Sequence, residues 1–114
     1  MKYKNGLIVT TNFPYNEVNE GSISILKLVD DKLIYVKDIV FSVNYRVHGC
    51  EIIDDNTALI SSTSDSNNCL MFVNLTNETF AEFKDFKYYA KDMHIFGNRM
   101  LMATSISRPG YKDY

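Results

Sequence analysis

Apolar and polar positions alternate with a period of two along most of the chain, the spacing at which a strand sends successive side chains to opposite faces. SISILKLV, from Ser22 to Val29, sets Ile23 and Ile25 on one face and Leu26 and Leu28 on the other, so both faces are greasy. Asp30 and Asp31 interrupt it, and KLIYVKDI resumes from Lys32 to Ile39 with Leu33, Tyr35, Lys37 and Ile39 alternating against Ile34, Val36 and Asp38. Two such runs around a short acidic turn predict a hairpin.

The pattern then repeats. CEII, the turn Asp54-Asp55-Asn56 and TALISST predict a second hairpin, since Asx side chains bond nearby backbone amides and favour turns. After SDSNN, residues 64 to 68, CLMFVNL reads as a strand, TNET as a turn, and FAEFKDF as an outer, half-exposed strand. MHIF, Gly97-Asn98 and MLMATSIS close the series as another hairpin. FAEFKDFKYYAKDM could also be written as an amphipathic helical turn or two. Strand is the better reading there, because isolated short helices are marginal in water.

Aligning Leu59-Ile60-Ser61-Ser62 with Leu101-Met102-Ala103-Thr104 gives a spacing of 42, and Ile8-Val9-Thr10-Thr11 lies 51 positions before Leu59. Each copy ends in small, mostly hydroxylated residues. The longer first spacing is absorbed by the loops NFPYNEVNEG and SVNYRV, where insertions are tolerated. A four-stranded unit of roughly 40 to 45 residues is the size of one propeller blade.

HGCEIIDDNTALISST, residues 48 to 63, resembles the opening of blades in the YVTN/lactonase-like and WD40-like β-propeller superfamily: His-Gly, strand, acidic turn, strand. The Trp-Asp pair of WD40 blades is absent, and ISST and MATS stand where the YVTN tetrapeptide would. The resemblance implies an all-β chain of antiparallel four-stranded blades of β-propeller type forming an incomplete ring. Residues 1–114 form a single domain on this reading, with 7–41 a partial blade, 49–86 a full one and 93–106 a partial one. Two and a half blades cannot close a ring of four to eight, so the remaining blades would come from a longer chain or from self-association. A two-layer antiparallel sandwich is the alternative.

Composition supports strands and narrows function. The 114 residues include 8 Tyr and 7 Phe but only 5 Gly and 2 Pro. A net charge of -2, with the basic side chains scattered singly, argues against a nucleic-acid partner. The apolar run Leu7-Ile8-Val9 is far short of a signal peptide or a membrane span, so the expectation is a cytoplasmic protein without a membrane partner. Cys50 and Cys69 stand alone and read as buried thiols, with no disulfide framework or zinc spacing. Asn74 and Asn77 head sequons, but in a chain without a signal peptide they read as turn residues.

In a propeller, the loops joining second to third strands and those joining blades emerge on one face. Tyr15, Tyr45, Arg46, His48, Tyr88, Tyr89 and Arg108 would collect there, with Phe13, Pro14 and residues 64 to 68. Tyr and Arg are enriched at binding hot spots, so the expected role is non-catalytic binding or scaffolding of a protein or peptide partner; the bland alternative is that these tyrosines pack at blade junctions. The lactonase-like relatives imply a second reading, a hydrolase fragment with His48, Glu51 and His94 around a channel metal. The residues themselves show no third ligand at a suitable spacing, so no metal or cofactor is expected. A third reading is a carbohydrate-binding β-sandwich. Asp54, Asp55 and Asn56, like Asp65, Asn67 and Asn68, lack EF-hand spacing and read as turns. No Gly-rich phosphate loop, GxSxG elbow or HExxH motif is present.

Overall fold

A computed structural model describes residues 1–12, 21–41, 45–64, 67–83 and 89–105. These form ten antiparallel strands in three sheets. Sheet 1 runs β1 (Lys2–Lys4), β2 (Leu7–Asn12), β3 (Ser22–Val29) and β4 (Lys32–Val40) in that order. Sheet 2 repeats the meander with β5 (Tyr45–Asp54), β6 (Thr57–Ser64), β7 (Asn67–Asn74) and β8 (Thr79–Phe83), and sheet 3 pairs β9 (Tyr89–Phe96) with β10 (Arg99–Ser105). The first sheet therefore holds one strand more than the pattern showed, because KYK is too short to register as a period. No described residue is helical, and the stretch that could have been a helical turn contributes β8 and the start of β9. No helix among the described residues is long and apolar enough to cross a membrane.

Hairpin chemistry follows the residues. Asn5 and Gly6 both take positive φ, as do Asp30 and Asp31, the geometry of two-residue turns that matches strand twist. Asp54 Oδ1 accepts the Asn56 amide at 2.9 Å, and Asn74 Oδ1 accepts those of Thr76 and Asn77 at 3.0 and 2.9 Å. The clusters at 54–56 and 74–77 thus work as turns, whereas Asn67 and Asn68, read as turn residues in the sequence, begin β7 and pair with Ser64 and Thr63 of β6. The Asn56 backbone amide is also the main cause that lowers the Asp54 pKa.

The three sheets stack face on face. Leu7, Val9, Ile23, Ile25 and Ile39 of sheet 1 share one core with Val47, Cys50, Ile52, Ala58, Ile60, Cys69, Met71 and Val73 of sheet 2. The opposite face of sheet 2, through Leu59 and Leu70, packs on Ala90 and Met93 of sheet 3 with Ile95 and Met102 beside them. Alternation along β6 shows the division: Ala58 and Ile60 meet sheet 1, whereas Leu59 meets sheet 3 and Ser61 bonds to it. Burying each such aliphatic side chain contributes about 1.5–3 kcal/mol, so apolar burial, not hydrogen bonding, holds the stack together. Three layers with a doubly covered middle sheet differ from the two-layer sandwich.

Two departures from the sequence reading are each a shift of one residue. Val36 is a bulge: Tyr35 pairs with Leu26 while Lys37 pairs with Ile25, so Tyr35 and Lys37 lie on opposite faces instead of the same one. The copies also align one residue differently. The Leu28 amide donates to the Gly6 carbonyl and the Leu75 amide to the Asn56 carbonyl, both at 2.8 Å, which makes Gly6 and Asn56 counterparts 50 apart. Val9, not Ile8, thereby corresponds to Leu59. A one-residue slip exchanges the two faces of a strand, and two neighbouring apolar residues hide it.

Polar atoms set the register of the stack. Thr11 Oγ1 donates to the His48 carbonyl at 2.8 Å across sheets 1 and 2, and Ser61 Oγ donates to the Ala90 carbonyl at 2.6 Å across sheets 2 and 3. His48 and Ala90 are 42 residues apart and Thr11 and Ser61 are 50 apart, so the same bond recurs in the repeat. Ser61 Oγ also accepts the Gly49 amide at 2.8 Å. Gly49 sits in a bulge between Val47 and Cys50, and a Cβ on it would lie 2.8 Å from the Asp92 Cα and 2.9 Å from the Lys91 carbonyl oxygen. Both obstacles are backbone, so they cannot rotate away. Gly49→Ala is expected to lower stability by about 2–3 kcal/mol, the usual cost of overpacking a closed interface; urea unfolding checks this, and a loss under about 0.5 kcal/mol would contradict the close approach.

Candidate functional site: the loop end of the stacked sheets

The meander gives each sheet two unlike ends. Short turns at 5–6, 30–31, 55–56, 75–78 and 97–98 lie at one end. Asn12 and Ser22, Val40 and Tyr45, Ser64 and Asn67, Phe83 and Tyr89, and the last residue of β10, Ser105, lie at the other. The stacking keeps these ends together: Lys4 Nζ reaches the Ile53 carbonyl at 3.0 Å near the turn end, while Thr11 meets His48 toward the loop end. Arg46, on β5, and the backbone of Tyr45 and Tyr89 belong to the loop end. Tyr15, Tyr88 and Arg108 lie outside the described residues, as do Phe13, Pro14 and Asp65.

His48 is half-buried beside Gly49 in the β5 bulge. Burial lowers its pKa to about 4, with the Arg46 and Lys91 charges adding to the effect. An imidazole so placed is neutral at physiological pH and can accept or donate one hydrogen bond without carrying charge. Arg46, exposed one turn of the zigzag earlier, supplies the positive charge at this corner.

The inner edge, where the first strands of the three sheets converge, carries a different set. Glu51 is buried, and its Oε2 accepts the Ile95 amide at 2.6 Å and lies 3.0 Å from His94 Nδ1. Its Oε1 faces the Ile52 amide at 3.2 Å. Lys2 of β1 reaches across to Asp92 of β9 at 3.5 Å. Pairing explains the meeting of Glu51 with His94: Glu51 opposes Leu59 and His94 opposes Leu101, so the two occupy the same place in successive copies. The His94 ring stacks on Phe96, with ring centroids 6.0 Å apart.

Of the trio His48, Glu51 and His94, the structure brings only the last two into contact. Glu51 Oε2 ties β5 to β9 through the Ile95 amide and His94, while Oε1 takes the Ile52 amide of its own strand, so both oxygens have a structural task. No group of three or more His, Cys, Asp or Glu among the described residues could hold a metal ion. Cys50 is buried, its thiol pushed up by burial and 3.6 Å from the Val9 carbonyl, so it is no nucleophile. A shallow depression of about 390 Å³ lies at the turn end, lined by Asn5, Gly6, Leu7, Lys27, Leu28, Val29 and Asp55. It pairs no base with a nucleophile. Ser61, the residue that matters most to register, was visible in sequence only as one of several small hydroxylated residues.

No protein-family model, curated protein or solved structure matches the chain.

Since the folded pKa of His48 lies below the ordinary imidazole value of 6.5, the unfolded chain takes up its proton first as pH falls. Stability from this group is therefore complete above about pH 6.5 and is lost between there and about pH 4. NMR titration should place the His48 midpoint near 4, and His48→Gln should flatten the fall in unfolding free energy across that window. A midpoint near 6.5 would contradict the burial.

Proposed function

We propose that this chain is a run of propeller-type blades acting as a non-catalytic binding module, which engages a protein or peptide partner through its loop end. The observation that carries the reading is the burial of both faces of sheet 2 by neighbours of the same kind, joined by a hydroxyl-to-carbonyl bond that recurs between counterpart residues. Blades that stack on both sides leave only their ends and edges for recognition. The loop end gathers Tyr45, Arg46, His48 and Tyr89 by strand position, whereas Tyr15, Tyr88 and Arg108 lie outside the described residues. Tyr and Arg are the residue types enriched at protein-binding hot spots, which supports a protein or peptide ligand. The engagement of Glu51 and His94 in sheet-to-sheet bonding weighs against a metal-dependent hydrolase.

Panning a displayed peptide library on the immobilised protein should enrich a binding sequence. The double variant Tyr45→Ala/Arg46→Ala should weaken that binding at least tenfold, with the melting temperature unchanged within a degree or two. Binders indifferent to the double variant would contradict the loop-end assignment.

A further inference from the structure

The turn Asn5-Gly6 holds the only Asn-Gly pair in the sequence. Both residues take positive φ, 51° and 83°, and Lys4 and Leu7 pair across them, so the strand ladder calls on neither turn amide. Among the described residues the Gly6 N–H donates no hydrogen bond, and the exposed Asn5 side chain has no polar partner. The Gly6 nitrogen lies one five-membered ring from the Asn5 amide carbon, and Gly6 brings no Cβ to screen it. Other asparagines differ. Asn56 and Asn74 hold backbone amides through Oδ1, and Asn12 Nδ2 is shared between Ser22 and Ser24. Asn77 and Asn98 are exposed, but the side chains of Glu78 and Arg99 crowd the nitrogens that follow them.

What hangs on this turn is the first strand. β1 is three residues long and, among the described residues, pairs with β2 alone. The Gly6 carbonyl accepts the Leu28 amide at 2.8 Å and so ties the turn to β3. Through β1, Lys4 reaches the Ile53 carbonyl of sheet 2 at 3.0 Å and Lys2 reaches Asp92 of sheet 3 at 3.5 Å. A short strand that touches both other sheets thus depends on the geometry of two residues.

We propose that Asn5-Gly6 is a site of spontaneous covalent modification, whose isoaspartyl product releases β1 from the inner edge. The Gly6 nitrogen bonds to Asn5 Cγ, the Cγ–Nδ2 bond breaks, and ammonia departs with the Gly6 amide proton, leaving a succinimide. Water then opens the ring at one of its two carbonyls. Attack at the side-chain carbonyl leaves an aspartyl residue; attack at the main-chain carbonyl leaves an isoaspartyl one, whose backbone runs through the former side chain. Nothing is oxidised or reduced, and water is the sole co-reactant. The isoaspartyl form puts an extra methylene into a turn of two residues, so the fit of the turn to the strand twist is lost and the Gly6 carbonyl leaves the Leu28 amide. The site stands on the first hairpin alone and is independent of the loop-end reading.

The test ages the intact protein in mildly alkaline buffer at physiological temperature, then cleaves it after lysine and follows each asparagine by mass spectrometry. Conversion at Asn5 should run at least tenfold faster than at Asn77 or Asn98, with the isoaspartyl form the major product. In the converted fraction of the uncleaved protein, hydrogen exchange at the Leu28 amide should be at least tenfold faster than in fresh protein. The Leu75 amide, bonded to the Asn56 carbonyl in the corresponding place of sheet 2, should keep its rate. Asn5→Gly removes the reacting amide while tolerating positive φ, and its Leu28 exchange should not change on ageing. Conversion at Asn5 no faster than at the two other turns would overturn the site. Conversion with Leu28 unchanged, or the same change in aged Asn5→Gly, would overturn the release of β1.

Discussion

Gly49 has no side chain, and β9 runs through the space where one would be. That close approach fixes the angle and register at which sheet 3 meets sheet 2, because the neighbouring atoms are the Asp92 Cα and the Lys91 carbonyl, neither of which can step aside. Ser61 completes the joint by taking the Gly49 amide and giving its own hydroxyl proton to the Ala90 carbonyl. A buried hydrogen bond contributes about 1 kcal/mol net, yet leaving such a group unpaired costs up to about 3 kcal/mol. The joint is therefore selective more than it is strong. Many apolar faces could stack on Leu59 and Leu70, but only one placement satisfies Ser61 and clears Gly49.

The same logic acts between sheets 1 and 2, where Thr11 replaces Ser61 and the larger apolar core supplies the strength. Glu51 extends it along the inner edge. A carboxylate buried between two sheets is costly unless it is bonded, and Glu51 meets that condition with the Ile95 and Ile52 amides and with His94. Chemistry that looked catalytic in type is thus absorbed into architecture. Outside these joints lies the loop end, with Arg46 and the uncharged His48.

Much of the fold was legible because period-two alternation survives wherever a strand is covered on one or both faces. Ile23 and Ile25, Ala58 to Ser61, and Cys69 to Val73 announce themselves in this way. The bulge at Val36 did not, since an extra residue in one strand leaves no mark on composition and merely flips the faces after it. The register between copies was off by one for a related reason: Ile8 and Val9 are both apolar, and only the Gly6 and Asn56 carbonyl bonds tell them apart. The His-Gly pair at 48–49 is visible in the sequence as part of a phrase, but Gly49 provides a three-dimensional clearance that no spacing encodes. Tyr45, Arg46, His48 and Tyr89 fall at one end of the sheets by strand position, because meander topology alone dictates it. The structural role of the Glu51–His94 contact appears only once both carboxylate oxygens are seen to be engaged.

The account turns on sheet 3 lying directly against the Gly49 bulge. A nuclear Overhauser spectrum of the intact protein tests this most directly, since the Gly49 α-protons and the Asp92 α-proton must then lie within van der Waals contact although they are 43 residues apart. A strong cross-peak between them is the predicted result. Its absence, with the hairpin cross-peaks inside each sheet present, would mean that the sheets form but do not stack in this way, and the repeat joint would have to be abandoned.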